Sequence, residues 1–246
     1  MHLQKFKSWK ALSMLMLIIA LGCSKKEKDM SADIIRKSVE ANGGTAYDSM
    51  QLAFNFRQFA VELTNINGQY TYQRVFKDSA DNLITDQLKN EGFTRKINGE
   101  VVTLNAKLLN AAKESLNSVA YFALLPYKLS EPAVQAKQVG TITIDDNDYY
   151  KIKITFKKDG GGKDHTDEFC YWINKANYNM EYIAYTNGGP RFRKLLRQHR
   201  NKSGIILQDY NNYAMVDSTI DVINYDSAFL TGKMKLLSLI EHSNVR

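Results

Sequence analysis

One cysteine and one histidine have a spacing that could support nucleophilic catalysis. Cys170 lies in a predicted strand, and His165 precedes it by five residues across a predicted turn. A histidine close to a cysteine can act as the base that activates its thiol. A free cysteine that simply packs as a small apolar side chain is far commoner. We therefore expect no catalytic role for Cys170.

The other chemistry-bearing residues predict neither a metal site nor a cofactor. The later histidines, His165, His199 and His242, form no HExxH or HxH motif, and no CxxC motif occurs. No GxSxG motif marks a serine nucleophile. The glycines at 160–162 precede a strand rather than a helix N-terminus, which a phosphate site needs. We expect no catalytic residue, no metal and no cofactor, and hence a protein that is not an enzyme.

Charged residues of the predicted strands also have an ordinary interpretation. Lys151 and Lys153 alternate with apolar residues and are predicted to face solvent, whereas a Schiff-base lysine must be desolvated. The densest basic segment is interpreted as a solvated strand surface, the alternative being a surface for anionic lipid headgroups. Its members are Arg191, Arg193, Lys194, Arg197, Arg200 and Lys202.

The N-terminal segment has the pattern of an export signal. Residues 1–10 are basic, and residues 11–21 form an apolar run that is too short to span a bilayer. Ala20-Leu21-Gly22-Cys23 resembles the lipobox of bacterial lipoproteins, in which the cysteine becomes the first mature residue and carries the acyl chains. We predict a signal peptide over residues 1–22 and a lipidated Cys23 with a polar tether over residues 23–31. The alternative is a plain secretory peptide that happens to contain a cysteine.

An acylated Cys23 would hold the protein on a membrane. Each buried CH₂ group contributes about 0.8 kcal/mol, and stable anchoring takes more than one chain. Ser24 stands where many such lipoproteins carry an aspartate that retains them in the inner membrane. The resemblance therefore favours the outer membrane, on its periplasmic face or at the cell surface. With Cys23 acylated, Cys170 has no cysteine left for an intramolecular disulfide.

Composition gives little support for a nucleic-acid partner. The 246 residues carry a formal net charge of +7, to which Lys5, Lys7 and Lys10 contribute three, so +4 remains beyond the signal segment. A small excess spread along the chain is weak evidence for nucleic-acid binding. We expect a monomer whose partners are the membrane and a lipid or apolar small molecule.

Alternating apolar and polar residues predict many short antiparallel strands. In the clearest example Tyr150, Ile152, Ile154 and Phe156 share one face and lysines the other, as in a sheet with one solvated face. Three segments have helical spacing instead. Ser31 is predicted to cap a first helix, residues 105–125 form an amphipathic helix, and residues 233–242 form a short C-terminal helix.

These elements predict an α+β fold that is mostly antiparallel β. A twisted sheet of many strands tends to curl, so we expect a curved, incomplete β-barrel over residues 32–246, as a single domain with short terminal helices. The helix at 105–125 would lie in the concavity. Complete filling would give an ordinary core, which the sequence alone favours, and incomplete filling would leave an apolar ligand cavity. The predicted lining residues are Leu52, Phe54, Phe56, Tyr70, Tyr72, Leu116, Phe122, Tyr150, Ile152, Ile154 and Phe156.

Several short motifs resemble those of a Gram-negative, Bacteroidota-type lipoprotein family of unknown function. They are Glu40-Ala41-Asn42-Gly43-Gly44, Glu91-Gly92-Phe93-Thr94-Arg95, Val119-Ala120-Tyr121-Phe122-Ala123-Leu124-Leu125-Pro126-Tyr127, Tyr150-Lys151-Ile152-Lys153-Ile154-Thr155-Phe156 and Tyr171-Trp172-Ile173-Asn174. The order of elements is similar to that of the LolA and LppX group of lipoprotein carriers. That resemblance implies an incomplete antiparallel barrel, closed by helices, that binds acyl chains inside.

The sequence leaves two kinds of non-enzymatic function open, and a third alternative is an enzyme that would use Cys170 or a strand lysine. In the first, the anchored domain binds a lipid or another apolar ligand in the cavity of its curved sheet. In the second, it is a structural or interaction lipoprotein of the outer membrane that uses its outer surface and has no ligand cavity.

Overall fold

The structure is a computed structural model that describes residues 29–159, 166–215 and 219–246. The predicted signal peptide, Cys23 and most of the tether lie outside these residues, as do His165 and the glycines at 160–162. Among the described residues, none of the helices combines the length and apolar character that crossing a bilayer demands.

The first half of the chain forms a helix followed by an antiparallel sheet in simple up-and-down order. Helix α1 is followed by a short 3₁₀ turn and six strands, and these strands are hydrogen-bonded in sequence order. Asn67 and Gly68 have positive φ angles of 53° and 82° in the turn between β2 and β3, as a tight hairpin turn requires. The elements are α1 Ser31–Ala41, the 3₁₀ turn Gly44–Tyr47, β1 Ser49–Phe56, β2 Phe59–Ile66, β3 Gln69–Lys77, β4 Leu83–Lys89, β5 Gly92–Ile97 and β6 Glu100–Val102.

Helix α2, Ala106–Ala123, confirms the predicted central helix. The side chain of Asn105 caps it by accepting a 2.9 Å hydrogen bond from the backbone N–H of Leu108. Its buried stripe of Ala112, Leu116 and Ala120 packs on the first sheet. Its last turn brings apolar side chains to the second sheet as well, so α2 lies against both.

The second half of the chain forms a second antiparallel sheet in the order β13-β12-β11-β10-β9-β8-β7. A 3₁₀ turn and a short helix, α3, interrupt it before β13. The elements are the 3₁₀ turn Tyr127–Ser130, β7 Val134–Ile144, β8 Asn147–Phe156, β9 Phe169–Asn174, β10 Met180–Tyr185, β11 Arg191–Arg200, β12 Ile206–Met215, the 3₁₀ turn Val222–Asn224, α3 Tyr225–Leu230, β13 Met234–Ile240 and β14 His242–Ser243.

The prediction that one face of this sheet is solvated is wrong, because α3 and the preceding turn cover that face. Cys170, Trp172 and Phe192 are fully buried there in a cluster that includes Tyr225 of α3. The Lys151 side chain is only 13% exposed, and its Nζ lies 2.6 Å from Asp226 Oδ2. Lys153 pairs with Glu168 at 2.8 Å and is 24% exposed. These lysines do not project freely into solvent, because apolar residues share their side of the sheet.

The predicted C-terminal helix at residues 233–242 is also wrong. Strand β13 pairs with β12, with Met234 opposite Met215 and Ile240 opposite Tyr210. Strand β14 then crosses to β1, where His242 lies opposite Phe56. The chain end therefore joins the two sheets.

The start of α1 differs in detail from the prediction, since Ser31 is its first residue rather than its cap. The backbone N–H of Ser31 donates to Asp29 Oδ1 at 2.9 Å, and its hydroxyl donates to the carbonyl of Ala136. The fold class is confirmed: two curved, mostly antiparallel sheets that do not close into a barrel surround a central amphipathic helix.

Candidate functional site

A cavity of about 470 Å³ lies between the second half of α2 and the inner face of the second sheet. The end of β1 and the chain around β13 and β14 complete its wall. Its volume falls in the range of about 300–1,000 Å³ that is usual for small-molecule sites. Aromatic side chains dominate its apolar wall: Phe56, Tyr121, Phe122, Phe156, Phe169, Tyr185 and Tyr210.

These aromatic rings form a continuous set of contacts. Phe169 is the central member, with ring centroids 5.8 Å from Phe156, 5.9 Å from Tyr121 and 5.7 Å from Tyr185. Phe122 completes the set at 5.4 Å from Tyr185. Edge and offset contacts of this kind stabilise aromatic clusters beyond the burial of their area. These rings therefore form one packed apolar surface along part of the wall.

A buried arginine from β11 also lines the cavity. Arg193 is 8% exposed, its Cζ lies 3.8 Å from the centroid of the Phe122 ring, and its Nη2 donates to Tyr185 Oη at 2.8 Å. Its Nε is buried without a hydrogen-bond partner. Among the described residues, no carboxylate lies within 4.0 Å of its guanidinium.

Two further buried polar side chains of the wall have an unpaired atom. Asn212 lies directly opposite Arg193 in the sheet, and its Oδ1 has no hydrogen-bond partner. Gln208 Oε1 accepts a hydrogen bond from the Tyr210 hydroxyl, whereas Gln208 Nε2 has no hydrogen-bond partner. Buried polar groups are nearly always hydrogen-bonded in proteins. Both side chains therefore hold an unpaired buried polar atom close to the aromatic surface of the cavity.

A histidine and an aspartate connect the cavity to the junction of the sheets. Buried Asp209 Oδ1 lies 2.9 Å from His242 Nδ1, and its Oδ2 lies 2.8 Å from His199 Nε2. The His242 ring packs against Phe54 and Phe56. Burial lowers the pKa of His242 below 6.5, and its contact with Asp209 opposes that shift only in part. This imidazole is therefore neutral at pH 7.

The cysteine considered as a nucleophile lies on the other side of the sheet. Cys170 is fully buried in the cluster beneath α3, and desolvation raises the pKa of its thiol above 9.0. A buried thiol with a raised pKa stays protonated and unreactive. Its proposed partner, His165, lies outside the described residues. Within those residues, no group of three or more acidic, cysteine or histidine side chains could hold a metal ion.

The predicted lining residues fall into three groups. Phe56, Phe122 and Phe156 line the cavity. The other eight pack into two hydrophobic clusters, one between α2 and the first sheet and one on the inner face of the second sheet. The cluster between α2 and the first sheet contains Leu52, Phe54, Tyr70, Tyr72 and Leu116. The cluster on the second sheet contains Tyr150, Ile152 and Ile154.

The sequence analysis missed the part of the wall contributed by β10, β11 and β12. Arg193 belongs to the basic segment that was interpreted as a solvated surface, and that interpretation is wrong at this residue. Arg193 follows the apolar Phe192 on β11, and this alternation predicts one buried and one solvated face. It does not indicate that both faces of the strand are buried. A signal was present in Gln208, Tyr210 and Asn212, which share one face of β12 at a spacing of two.

Comparisons with known proteins place these observations in a family and a fold. A family model described as a family of unknown function, DUF6503, matches residues 10–242. No curated protein matches the chain. A LolA superfamily protein from Nitrosomonas europaea is similar in structure, with a TM-score of 0.50, 10% identity and coverage of 88% of this chain and 92% of that one. The fold is therefore similar to that of the LolA superfamily.

Two other solved structures have lower scores. A DUF1329 family protein from Desulfovibrio piger has a TM-score of 0.38 and 12% identity, with coverage of 89% of this chain and 93% of that one. The lipoprotein LppX from Mycobacterium tuberculosis has a TM-score of 0.29 and 14% identity, with coverage of 64% of this chain and 88% of that one.

Proposed function

The chain belongs to the family of unknown function DUF6503, and we propose that it is a membrane-anchored envelope lipoprotein. In this proposal it binds a lipid or another apolar ligand in the cavity beneath α2. The observation that carries this proposal is the aromatic wall, in which Phe122, Phe156 and Phe169 face a volume of about 470 Å³. Cavities of this size with a mostly apolar wall and a few polar groups are typical ligand sites. The similarity to the LolA superfamily supports the same type of fold for the binding domain.

The anchor in this proposal is an acylated Cys23 after removal of residues 1–22. The lipobox-like segment supports it, and Ser24 at the following position favours the outer membrane. Helix α1 begins at Ser31, so a tether of eight residues, 23–30, would separate the lipid from the folded domain. Such a chain is short enough to hold the domain close to the membrane surface.

The proposed role is binding rather than catalysis. The polar groups of the cavity wall are two arginines, four amides, a serine, tyrosine hydroxyls, three carboxylates and a histidine held by Asp209. The one cysteine among the described residues, Cys170, is buried on the opposite side of the sheet. A wall of this chemistry can fix the position of a ligand through hydrogen bonds and aromatic contact.

The proposal predicts that a bulky side chain at the cavity rim reduces the amount of bound lipid. Ser118 is exposed on α2 and lines the cavity, so tryptophan there is expected to fold normally and to fill the entrance. Lipid would be extracted from the full chain after purification from its native membrane and quantified by mass spectrometry. We expect Ser118→Trp to lower the ratio of noncovalent lipid to protein several-fold.

Ala111→Trp is the matched control, because Ala111 is exposed on the same helix and lies outside the cavity. It should retain as much lipid as the wild-type chain. Equal lipid in all three proteins, or a wild-type ratio no higher than that of a detergent blank, would refute the proposal.

A second candidate is an interaction role at the outer surface, and one observation favours it. The edge strand β13 exposes Leu236, Leu237 and Leu239 by about half of their surface. An exposed edge with apolar side chains is a common place for another chain to pair. The lipid measurement separates the two candidates, since a surface role predicts no dependence on Ser118.

A further inference from the structure

The strongest unassigned feature of the cavity is the uncompensated charge of Arg193. A guanidinium is always charged, and burying one without a counter-charge is costly. The other buried charged side chains in the described part of the chain are paired: Arg74, for example, lies 2.8 Å from Asp86. Arg193 instead contacts a neutral hydroxyl and an aromatic ring.

The surroundings of Arg193 hold its side chain in one orientation. The Phe122 ring covers the guanidinium at 3.8 Å from Cζ, and the Tyr185 ring lies 5.0 Å from the same atom on the strand next to β11. The Tyr185 hydroxyl accepts from Nη2, which leaves Nε–H as an unused donor. An arginine fixed in this way is suited to planar, two-point contact with a carboxylate or a phosphate.

The acidic side chains of the cavity lining do not supply this missing charge. These side chains are Glu114, Glu131 and Asp167; Glu131 pairs with Lys128, and Asp167 accepts a hydrogen bond from Asn187. Neither they nor any other described carboxylate comes within 4.0 Å of Arg193. A molecule with an anionic group that enters the cavity would supply the counter-charge that the described residues do not provide.

The neighbouring wall is apolar, which restricts the kind of anion that fits. Phe122 and Tyr185 touch the guanidinium and belong to the same ring cluster as Phe156 and Phe169. A small inorganic anion would pair with the guanidinium but would make no contact with the aromatic surface. A molecule with one anionic end and an alkyl chain would pair with the guanidinium and also contact the aromatic surface.

We propose that Arg193 binds the anionic head group of a single-chain amphiphile whose alkyl chain lies along the aromatic wall. The head group is a carboxylate or a phosphate monoester, since both offer two oxygens to a guanidinium. This inference rests on the proposed ligand-binding function and names the chemical class of the ligand.

The test uses the full chain in a mild detergent and a photoreactive palmitic acid, compared with its methyl ester. The two probes share the alkyl chain and the reactive group, and only the acid carries a charge. Covalent labelling of the peptides that line the cavity is measured by mass spectrometry. We expect the acid to label wild-type protein roughly tenfold to a hundredfold more than the ester, the change that accompanies a hydrogen bond to a charged group.

Three variants test whether the preference for the acid over the ester depends on Arg193. Arg193→Gln should remove the preference for the acid while labelling by the ester persists, which also shows that the cavity is intact. Arg193→Lys keeps the charge but loses the planar fork, and we expect an intermediate preference. Arg191→Gln is the control, because Arg191 lies on the same strand outside the cavity. It should behave as the wild type does.

Competition identifies the head group. Displacement of the probe by unlabelled palmitic acid or by hexadecyl phosphate supports the proposal and shows which head is preferred. Displacement by inorganic phosphate at the same concentration overturns it in favour of a free-anion site. An acid preference that survives in Arg193→Gln, or equal labelling by acid and ester in the wild type, also overturns it. The absence of cavity labelling by both probes would instead refute the ligand-binding function itself.

Discussion

Three aspartates, Asp86, Asp209 and Asp226, are fully buried, and each contacts basic or hydrogen-bonding side chains of other elements. Asp86 contacts Arg74 and Arg95 on the two strands that flank it. Asp226 contacts Lys151 and the indole N–H of Trp172. Removing one member of such a group leaves an uncompensated charge, which is more damaging than the net stability of the intact pair suggests.

The Asp86 network predicts a large loss of stability in Asp86→Ala. Arg74 is buried and also donates to Ser115 Oγ on α2 at 2.7 Å, so the network joins the first sheet to the central helix. Loss of the carboxylate would leave Arg74 buried and unpaired, at a cost of about 3–5 kcal/mol. The free energy of unfolding from urea titration measures this effect.

Lys77→Ala is the control for that prediction. Lys77 ends the same strand as Arg74, and its pair with Asp81 is largely exposed to solvent. Exposed pairs contribute little to stability, so the urea midpoint should hardly move. Similar losses in the two variants would contradict the distinction between buried and exposed pairs.

Single residues also mark the limit of what the sequence could predict about the site. Alternation places Phe56 and Phe156 on the apolar faces of their strands, and both residues line the cavity. The burial of Lys151 and Arg193 was not predictable in this way, because alternation distinguishes the two faces of a strand without showing what covers each one. Distant parts of the chain supply that cover: α3 over Lys151 and α2 over Arg193.

At the scale of elements, the two-residue strand β14 has more influence than its length suggests. It pairs with β1 of the first sheet, and both the backbone N–H and the ring of His242 contact Asp209 of β12 in the second sheet. The junction of the sheets thus contains a buried, neutral histidine.

This junction predicts a loss of stability on mild acidification. The pKa of His242 is lowered in the folded protein, so the unfolded chain takes up a proton near pH 6.5 that the folded protein binds only at lower pH. The stabilisation is therefore complete above about pH 6.5 and declines as the pH falls through that value. Thermal unfolding measured between about pH 7 and pH 5 should show a falling midpoint.

His242→Gln should flatten that decline, because its amide can still approach Asp209 but does not titrate. Asp209 acts in a different range: burial favours a raised pKa, yet hydrogen bonds from His199 and His242 lower it below 3.8. Its contribution is lost only in stronger acid. An unchanged slope in His242→Gln would show that another group controls the transition.

Strands with local alternation were predictable, whereas the edge strand β13 was not. Met234, Leu237 and Ile240 recur every three residues, a spacing that suits a helix, but exposed leucines at 236 and 239 break the polar face that a surface helix needs. Pairing with β12 decides the conformation of this segment. Such a partner is distant in sequence, so local spacing carries no information about it.

At the scale of the whole molecule, the cavity depends on how α2 divides its contacts between two sheets. Its small residues Ala120 and Ala123 pack on the first sheet, and the carbonyl of Ala112 accepts a hydrogen bond from Arg74 of β3. Its aromatic residues Tyr121 and Phe122 reach the second sheet and leave the cavity beside them. The fold class followed from strand and helix patterns, whereas the volume left unfilled depends on side-chain packing throughout the interior.

The proposed membrane anchor also concerns the whole molecule, and this proposal depends on Cys23. The chain has two cysteines, and Cys170 is fully buried, so an acyl label on the native protein should be carried by Cys23 alone. We expect Cys23→Ala to abolish incorporation of an alkyne-tagged palmitate and to keep residues 1–22 attached, which the intact mass reports. Cys170→Ala should be labelled and processed as the wild type is. Labelling that persists in Cys23→Ala, or a wild-type chain cut after a residue other than Gly22, would contradict lipidation at this cysteine.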